Sequence, residues 1–264
     1  MTAIDAVFRR LRASGEKGLV VYLTAGDPTP PSSLRYLRAA ADAGADILEV
    51  GVPFSDPTAD GPTIEAASRR ALSSGMNVAG ALDLVRKFRG THATPVVLFG
   101  YYNPFLRYGW PTLCEDARNS GVDGILVVDL PFEEVGEALP SLRKAGLDWI
   151  PLAAPTSGLE RVHAFDRAGS GFLYLISVTG VTGVRDTFPP SIAAWTRKVA
   201  KATKLPVAVG FGISSPEMAK AATRYADAAV VGSACVKIVE KNGRGPRGPA
   251  ELSRFVRSLK TALR

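Results

Sequence analysis

The stretch Leu48-Glu-Val-Gly-Val-Pro-Phe-Ser-Asp-Pro-Thr-Ala-Asp-Gly-Pro62 reads as one βα unit. An apolar strand runs into a Pro- and Gly-rich loop, and a helical pattern over 63–74 follows. The same unit recurs along the chain. β-rich runs lie at 19–24, 45–51, 95–101, 124–129, 149–153, 172–177, 206–210 and 228–232. Helical patterns follow them at 33–43, 63–74 with 78–88, 111–120, 132–145, 159–168, 191–203, 216–225 and 249–263. Several of the runs are nearly continuous Val, Ile and Leu, the pattern of parallel strands covered by helices. Eight such units without a compositional break predict a single α/β domain over residues 1–264, a (β/α)8 TIM barrel. An open doubly wound sheet fits eight repeats less well. An extra N-terminal helix within 1–11 and long loops after the second and sixth strands complete the expectation.

Composition narrows the class. With 46% hydrophobic and 22% charged residues, the chain has the balance of an ordinary globular enzyme. No apolar run approaches the roughly 18–20 residues that a membrane helix needs. The N-terminus lacks the apolar core of a signal peptide, so a cytoplasmic location is expected. Cys114 and Cys235 have no metal-ligand spacing and read as buried thiols. His92 and His163 sit in no ligand motif, so neither a metal site nor a Ser-His triad is expected. The net charge is +7, and residues 237–264 hold eight Lys/Arg against two Asp/Glu. Leu252, Phe255, Val256, Leu259 and Leu263 share one helical face there. A docked terminal helix with a solvated basic side is therefore favoured over a nucleic-acid arm.

In this fold, functional groups sit at the C-terminal ends of the strands. Alternation places Ile47, Glu49 and Gly51 on one face of their strand, so Glu49 points into the barrel mouth. A carboxylate in an apolar strand is costly unless it is paired or used. It is either a salt-bridged structural residue or one of two carboxylates, with Asp60 in the following loop, whose pKa values are set apart for acid/base work. Tyr22, Phe99, Tyr101, Leu126, Leu152 and Tyr174 also line the mouth and suit a flat apolar ligand. The glycine-rich turns after the last two strands, Gly210-Phe-Gly212 and Gly232-Ser233, suit a phosphate, with Gly183 placed to close the site. No lysine lies at a strand's C-terminal end for a Schiff base. What remains is cofactor-free acid/base chemistry by carboxylates on a phosphorylated substrate.

These residues resemble the tryptophan synthase α subunit family over nearly the whole chain. The most specific motif is Glu49-Val-Gly-Val-Pro-Phe-Ser-Asp-Pro-Thr-Ala-Asp-Gly-Pro62. Leu23-Thr-Ala-Gly-Asp-Pro28, Tyr101-Tyr-Asn-Pro104, Asp129-Leu-Pro131, Gly180-Val-Thr-Gly183, Gly210-Phe-Gly-Ile-Ser-Ser215 and Gly232-Ser233 support it. The resemblance implies a lyase that cleaves indole-3-glycerol phosphate to indole and glyceraldehyde 3-phosphate. It implies that Glu49 is the general acid/base and that Asp60 binds the indole N–H and stabilises the cationic ring. By the same match, Thr182 orders Asp60 when the site closes, and Gly183, Phe211, Gly212, Gly232 and Ser233 bind phosphate. Pro53, Asp56 and Pro57 match the loop that meets the β subunit of an α2β2 complex, and pyridoxal phosphate belongs to that subunit. A small phosphorylated substrate and no nucleic-acid or membrane partner are expected. Thr58, Tyr22, Gly100, Val128 and the loop 184–188 depart from the family's commoner residues. A stand-alone indole-forming lyase and a non-catalytic barrel scaffold are the alternative readings.

Overall fold

The computed structural model describes residues 1–176 and 189–264. Nine strands form one sheet: β1 (Gly18–Thr24), β2 (Ile47–Gly51), β3 (Val96–Gly100), β4 (Gly124–Val127), β5 (Asp148–Trp149), β6 (Leu152–Ala153), β7 (Leu173–Ile176), β8 (Val207–Gly210) and β9 (Ala228–Val231). Every pairing is parallel, in the order β5-β4-β3-β2-β1-β9-β8-β7-β6. The two ends of that order, β5 and β6, are consecutive in the chain. Only Ile150 and Pro151 separate them. The Ile150 N–H donates to the Ile125 carbonyl at 3.0 Å, and the Pro151 carbonyl accepts from the Tyr174 N–H at 2.9 Å. Residues 148–153 are thus one stave, interrupted where Pro151 has no N–H to donate, and the sheet closes as the expected eight-stave barrel.

The alternation of side chains divides the core in two. Outward residues such as Leu19, Val21, Leu48, Val50 and Leu98 pack against the helices. Inward residues Val20, Ile47, Val97, Leu126, Ile150 and Tyr174 fill the barrel together with Ile4, Phe8 and Leu11 of α1 (Ala3–Ser14). Phe8 lies 5.8 Å from Phe172, just before β7, so α1 stoppers the N-terminal end of the barrel. A capping box between Thr2 and Asp5 fixes its start. The inner barrel is closed at that end and carries its polar groups at the other.

The helices α2 (Pro30–Asp42), α3 (Pro62–Ser73) and α4 (Val78–Arg89) follow the expected pattern, as do α6 (Trp110–Ser120), α8 (Leu159–Ala168), α9 (Pro190–Ala202) and α10 (Pro216–Thr223). Others differ. The pattern over 132–145 splits into a 3-10 turn (Phe132–Glu137) and α7 (Leu139–Ala145), because Pro140 is tolerated only in a helix's first turn. Two further helices appear: α5 (Tyr102–Tyr108), whose single run is too short to show a period, and α11 (Ser233–Asn242). The terminal helix α12 (Arg247–Ala262) docks as expected through Leu252, Val256 and Leu259. Its basic side is not wholly solvated. Lys260 is buried, with Nζ 2.8 Å from Asp46 Oδ2, and Arg10 donates to the other Asp46 oxygen at 2.6 Å. Part of the basic tail is thus an internal counter-charge. The sixth-strand loop falls in 177–188, outside the described residues.

Candidate active site

Glu49 stands on β2 beside Tyr22 of β1 and Val97 of β3, facing inward. Its exposure is 0%, and neither carboxylate oxygen has a hydrogen-bond partner among the described residues. That excludes the salt-bridged structural reading within those residues. Desolvation alone pushes its pKa from 4.5 to about 8. At neutral pH Glu49 is therefore a neutral acid, able to give a proton and afterwards to take one back. The phenols of Tyr22 and Tyr174 both sense its charge and are held far from ionisation, chiefly by their own burial.

Asp60 lies in the loop between β2 and α3 and is half-buried. Desolvation raises its pKa to about 6, against a hydrogen bond from the Tyr101 hydroxyl that lowers it. Tyr101 is buried at the start of α5. The same hydroxyl accepts from the Ala59 N–H at 3.2 Å, and the Phe54 ring sits 5.3 Å from the Tyr101 ring. Tyr101 thus fastens the loop at Phe54, at Ala59 and at Asp60 itself. The two carboxylates are held in different environments: one dry and unpartnered, the other half-wet and hydrogen-bonded.

The residues expected to line a ring pocket come from strands on both sides of the barrel. The Tyr22 and Phe99 rings meet edge-on at 5.1 Å, and Phe99 is in register with Leu126. Across the barrel Leu152 is in register with Tyr174. Both tyrosine hydroxyls need a glycine beside them. A Cβ at Gly51 would overlap the Tyr22 hydroxyl, and one at Gly210 would overlap that of Tyr174.

The turns expected to bind an anion follow β8 and β9. Gly212 adopts φ +63°, a conformation that glycine takes freely. It follows Phe211, which is buried. Gly232 caps α11, whose first internal bond runs from the Val236 N–H to the Gly232 carbonyl at 3.0 Å. The N–H groups of Ser233, Ala234 and Cys235 therefore have no carbonyl within the helix, and a helix start of this kind attracts an anion. Gly232 and Ser233 are half-buried at this mouth. Of the expected site residues, Thr182 and Gly183 lie outside the described residues.

In the loop after β2, Pro53 is buried, Pro57 half-buried and Asp56 exposed, with the Ser55 hydroxyl donating to Asp56 at 2.5 Å. Two contributors escaped the sequence reading. Thr24 approaches the Tyr22 hydroxyl at 3.4 Å, and Phe54 braces Tyr101. Thr24 was accessible from alternation, being two residues beyond Tyr22 on the same strand face. Nothing local marks Phe54. Among the described residues no group of three His, Cys, Asp or Glu side chains could hold a metal, and no helix is long and apolar enough to cross a membrane.

Comparison with known proteins gives a consistent result. A family model described as tryptophan synthase alpha chain matches residues 8–264. A tryptophan synthase alpha chain of Solibacter usitatus is 45% identical over 260 residues, spanning 98% of this chain and 97% of the relative. Among solved structures, the alpha chain from Legionella pneumophila superposes with a TM-score of 0.92 at 34% identity, covering 100% of this chain and 97% of that one. A chain from the α2β2 tryptophan synthase complex of Pyrococcus furiosus, described in a study of mutual activation, gives 0.86 at 41% identity, with coverages of 92% and 98%.

Proposed function

The chain belongs to the tryptophan synthase alpha chain family, and from that premise we propose that it cleaves indole-3-glycerol phosphate to indole and glyceraldehyde 3-phosphate. The observation that carries the reading is the buried, unpartnered Glu49 facing a ring pocket whose other carboxylate, Asp60, is held by Tyr101. Protonated Glu49 delivers its proton to the ring carbon that bears the side chain. The ring becomes cationic, and ionised Asp60 accepts the indole N–H and stabilises that charge. Glu49, now a carboxylate, removes the proton from the hydroxyl next to the ring. The carbon–carbon bond breaks, its electron pair returns to the ring, and an aldehyde forms. One proton is given and one is taken, so Glu49 ends as it began.

Tyr22, Phe99, Leu126, Leu152 and Tyr174 hold the indole. The start of α11 at Gly232 and Ser233, with Phe211 and Gly212, holds the phosphate, and Gly183 closes over it. Thr182 steadies Asp60 in the closed site. This chemistry requires no cofactor from this chain. Pro53, Asp56 and Pro57 form the docking loop for a β subunit in an α2β2 assembly, which receives the indole and carries the pyridoxal phosphate. The expected location is the cytoplasm.

The reading fixes a pH dependence. Asp60 must be ionised and Glu49 protonated, so kcat/KM for indole release rises through about pH 6 and falls through about pH 8. A profile that is flat across this range contradicts the assigned roles.

A further inference from the structure

Three of the elements that carry parts of the site are tied together by one side chain. β1 supplies Tyr22, α3 begins two residues after Asp60, and α11 begins at the anion end. Near the mouth they meet in an apolar cluster: Tyr22, Ala67 of α3 and Val236 of α11 are buried together, with Ile64 packed against them. Apolar contact is non-directional and does not by itself fix how one helix slides on another. One turn further along α3, Arg70 does. Its Nε and Nη2 donate to the two oxygens of Asp27 at 2.7 and 2.9 Å, and its Nη1 donates to Glu240 at 2.9 Å. Asp27 lies in the turn that leaves β1, its N–H donating to the Thr24 carbonyl at 3.3 Å, and it is only 3% exposed. Glu240 lies on α11, seven residues after Ser233. A bidentate guanidinium–carboxylate pair is directional as well as strong. The Ser74 hydroxyl adds a 3.3 Å bond to the Gly26 carbonyl beside it.

We propose that Arg70 is a positioning residue of this site, locking the β1 turn, the helix behind the Asp60 loop and the anion-binding helix into one frame. The proposal rests on the reaction assigned above, and its test separates the two. Arg70→Lys keeps the charge but cannot make the three-point fork. Glu240→Ala removes an exposed partner and frees only α11. Both variants are assayed for indole release, and hydrogen exchange over 59–65 and 233–236 is measured without substrate. The expected result for Arg70→Lys is a kcat lowered by about 10- to 100-fold, the scale of an ångström-sized misplacement, with faster exchange in both segments. For Glu240→Ala the expected result is a raised KM, nearly unchanged kcat and faster exchange at 233–236 only. Folded variants with wild-type kcat, KM and exchange, and merely a lower melting temperature, would overturn the proposal. If the wild-type chain releases no indole, the assigned reaction fails, while the exchange data still decide whether Arg70 holds the frame.

Discussion

Glu49→Gln is expected to lower kcat for indole formation by about 10²- to 10⁴-fold, the contribution of a positioned proton-transfer group, while leaving the barrel folded. Glutamine preserves the shape and cannot donate or accept the transferred proton. The same variant is expected to be more stable than the parent, and the gain should depend on pH. Burial raises the Glu49 pKa from 4.5 to about 8. Between those values the folded state binds a proton that the unfolded state has released, so this group's effect on stability worsens as pH rises through the window. Below about pH 4.5 the two proteins should differ little. At pH 8 and above the glutamine variant should be ahead by on the order of 4–5 kcal/mol. Chemical denaturation at pH 5 and pH 8, beside single-turnover assays, checks both halves. Equal stability at both pH values would mean that Glu49 is not desolvated in solution.

Asp60→Asn gives the second large effect, a loss of about 10²- to 10³-fold in kcat, as for removal of one preorganised electrostatic partner of a developing charge. Asparagine can still accept the indole N–H, but it does not neutralise the cationic ring. The acid limb of the pH profile near 6 should vanish with it, because that limb belongs to Asp60. Tyr101→Phe should act more mildly. It removes the hydrogen bond that lowers the Asp60 pKa, so the acid limb should move upward. It also unfastens the Ala59 N–H. Steady-state rates from pH 5 to 9 on the three proteins test this. An acid limb that stays in place in Asp60→Asn assigns the limb to another group.

The sequence was readable where periodicity and chemistry agreed. Alternation around Glu49 placed it inside the barrel because a strand's two faces are fixed by a period of two, and the register with Tyr22 and Val97 bears this out. Gly212 after β8 was readable for a different reason: its φ of +63° is one that few residues other than glycine adopt. Contacts between distant segments were not readable. Nothing near Asp46 in the chain announces that Lys260, 214 positions away, is its buried counter-ion. Nothing near Tyr101 indicates that its hydroxyl meets the Ala59 N–H. The interruption at Pro151 shows the same limit. A proline in an apolar run signals a lost donor, but only the closed sheet shows that the break falls between two pairings, β4 on one side and β7 on the other.

The most direct test of the account is release of indole from indole-3-glycerol phosphate by the purified chain, measured alone and with a tryptophan synthase β subunit. Slow release by the chain alone and a sharp rise when the β subunit is added are expected, with both lost in Glu49→Gln. Absence of indole under either condition would contradict the assigned reaction, and fast release indifferent to the partner would contradict the coupling.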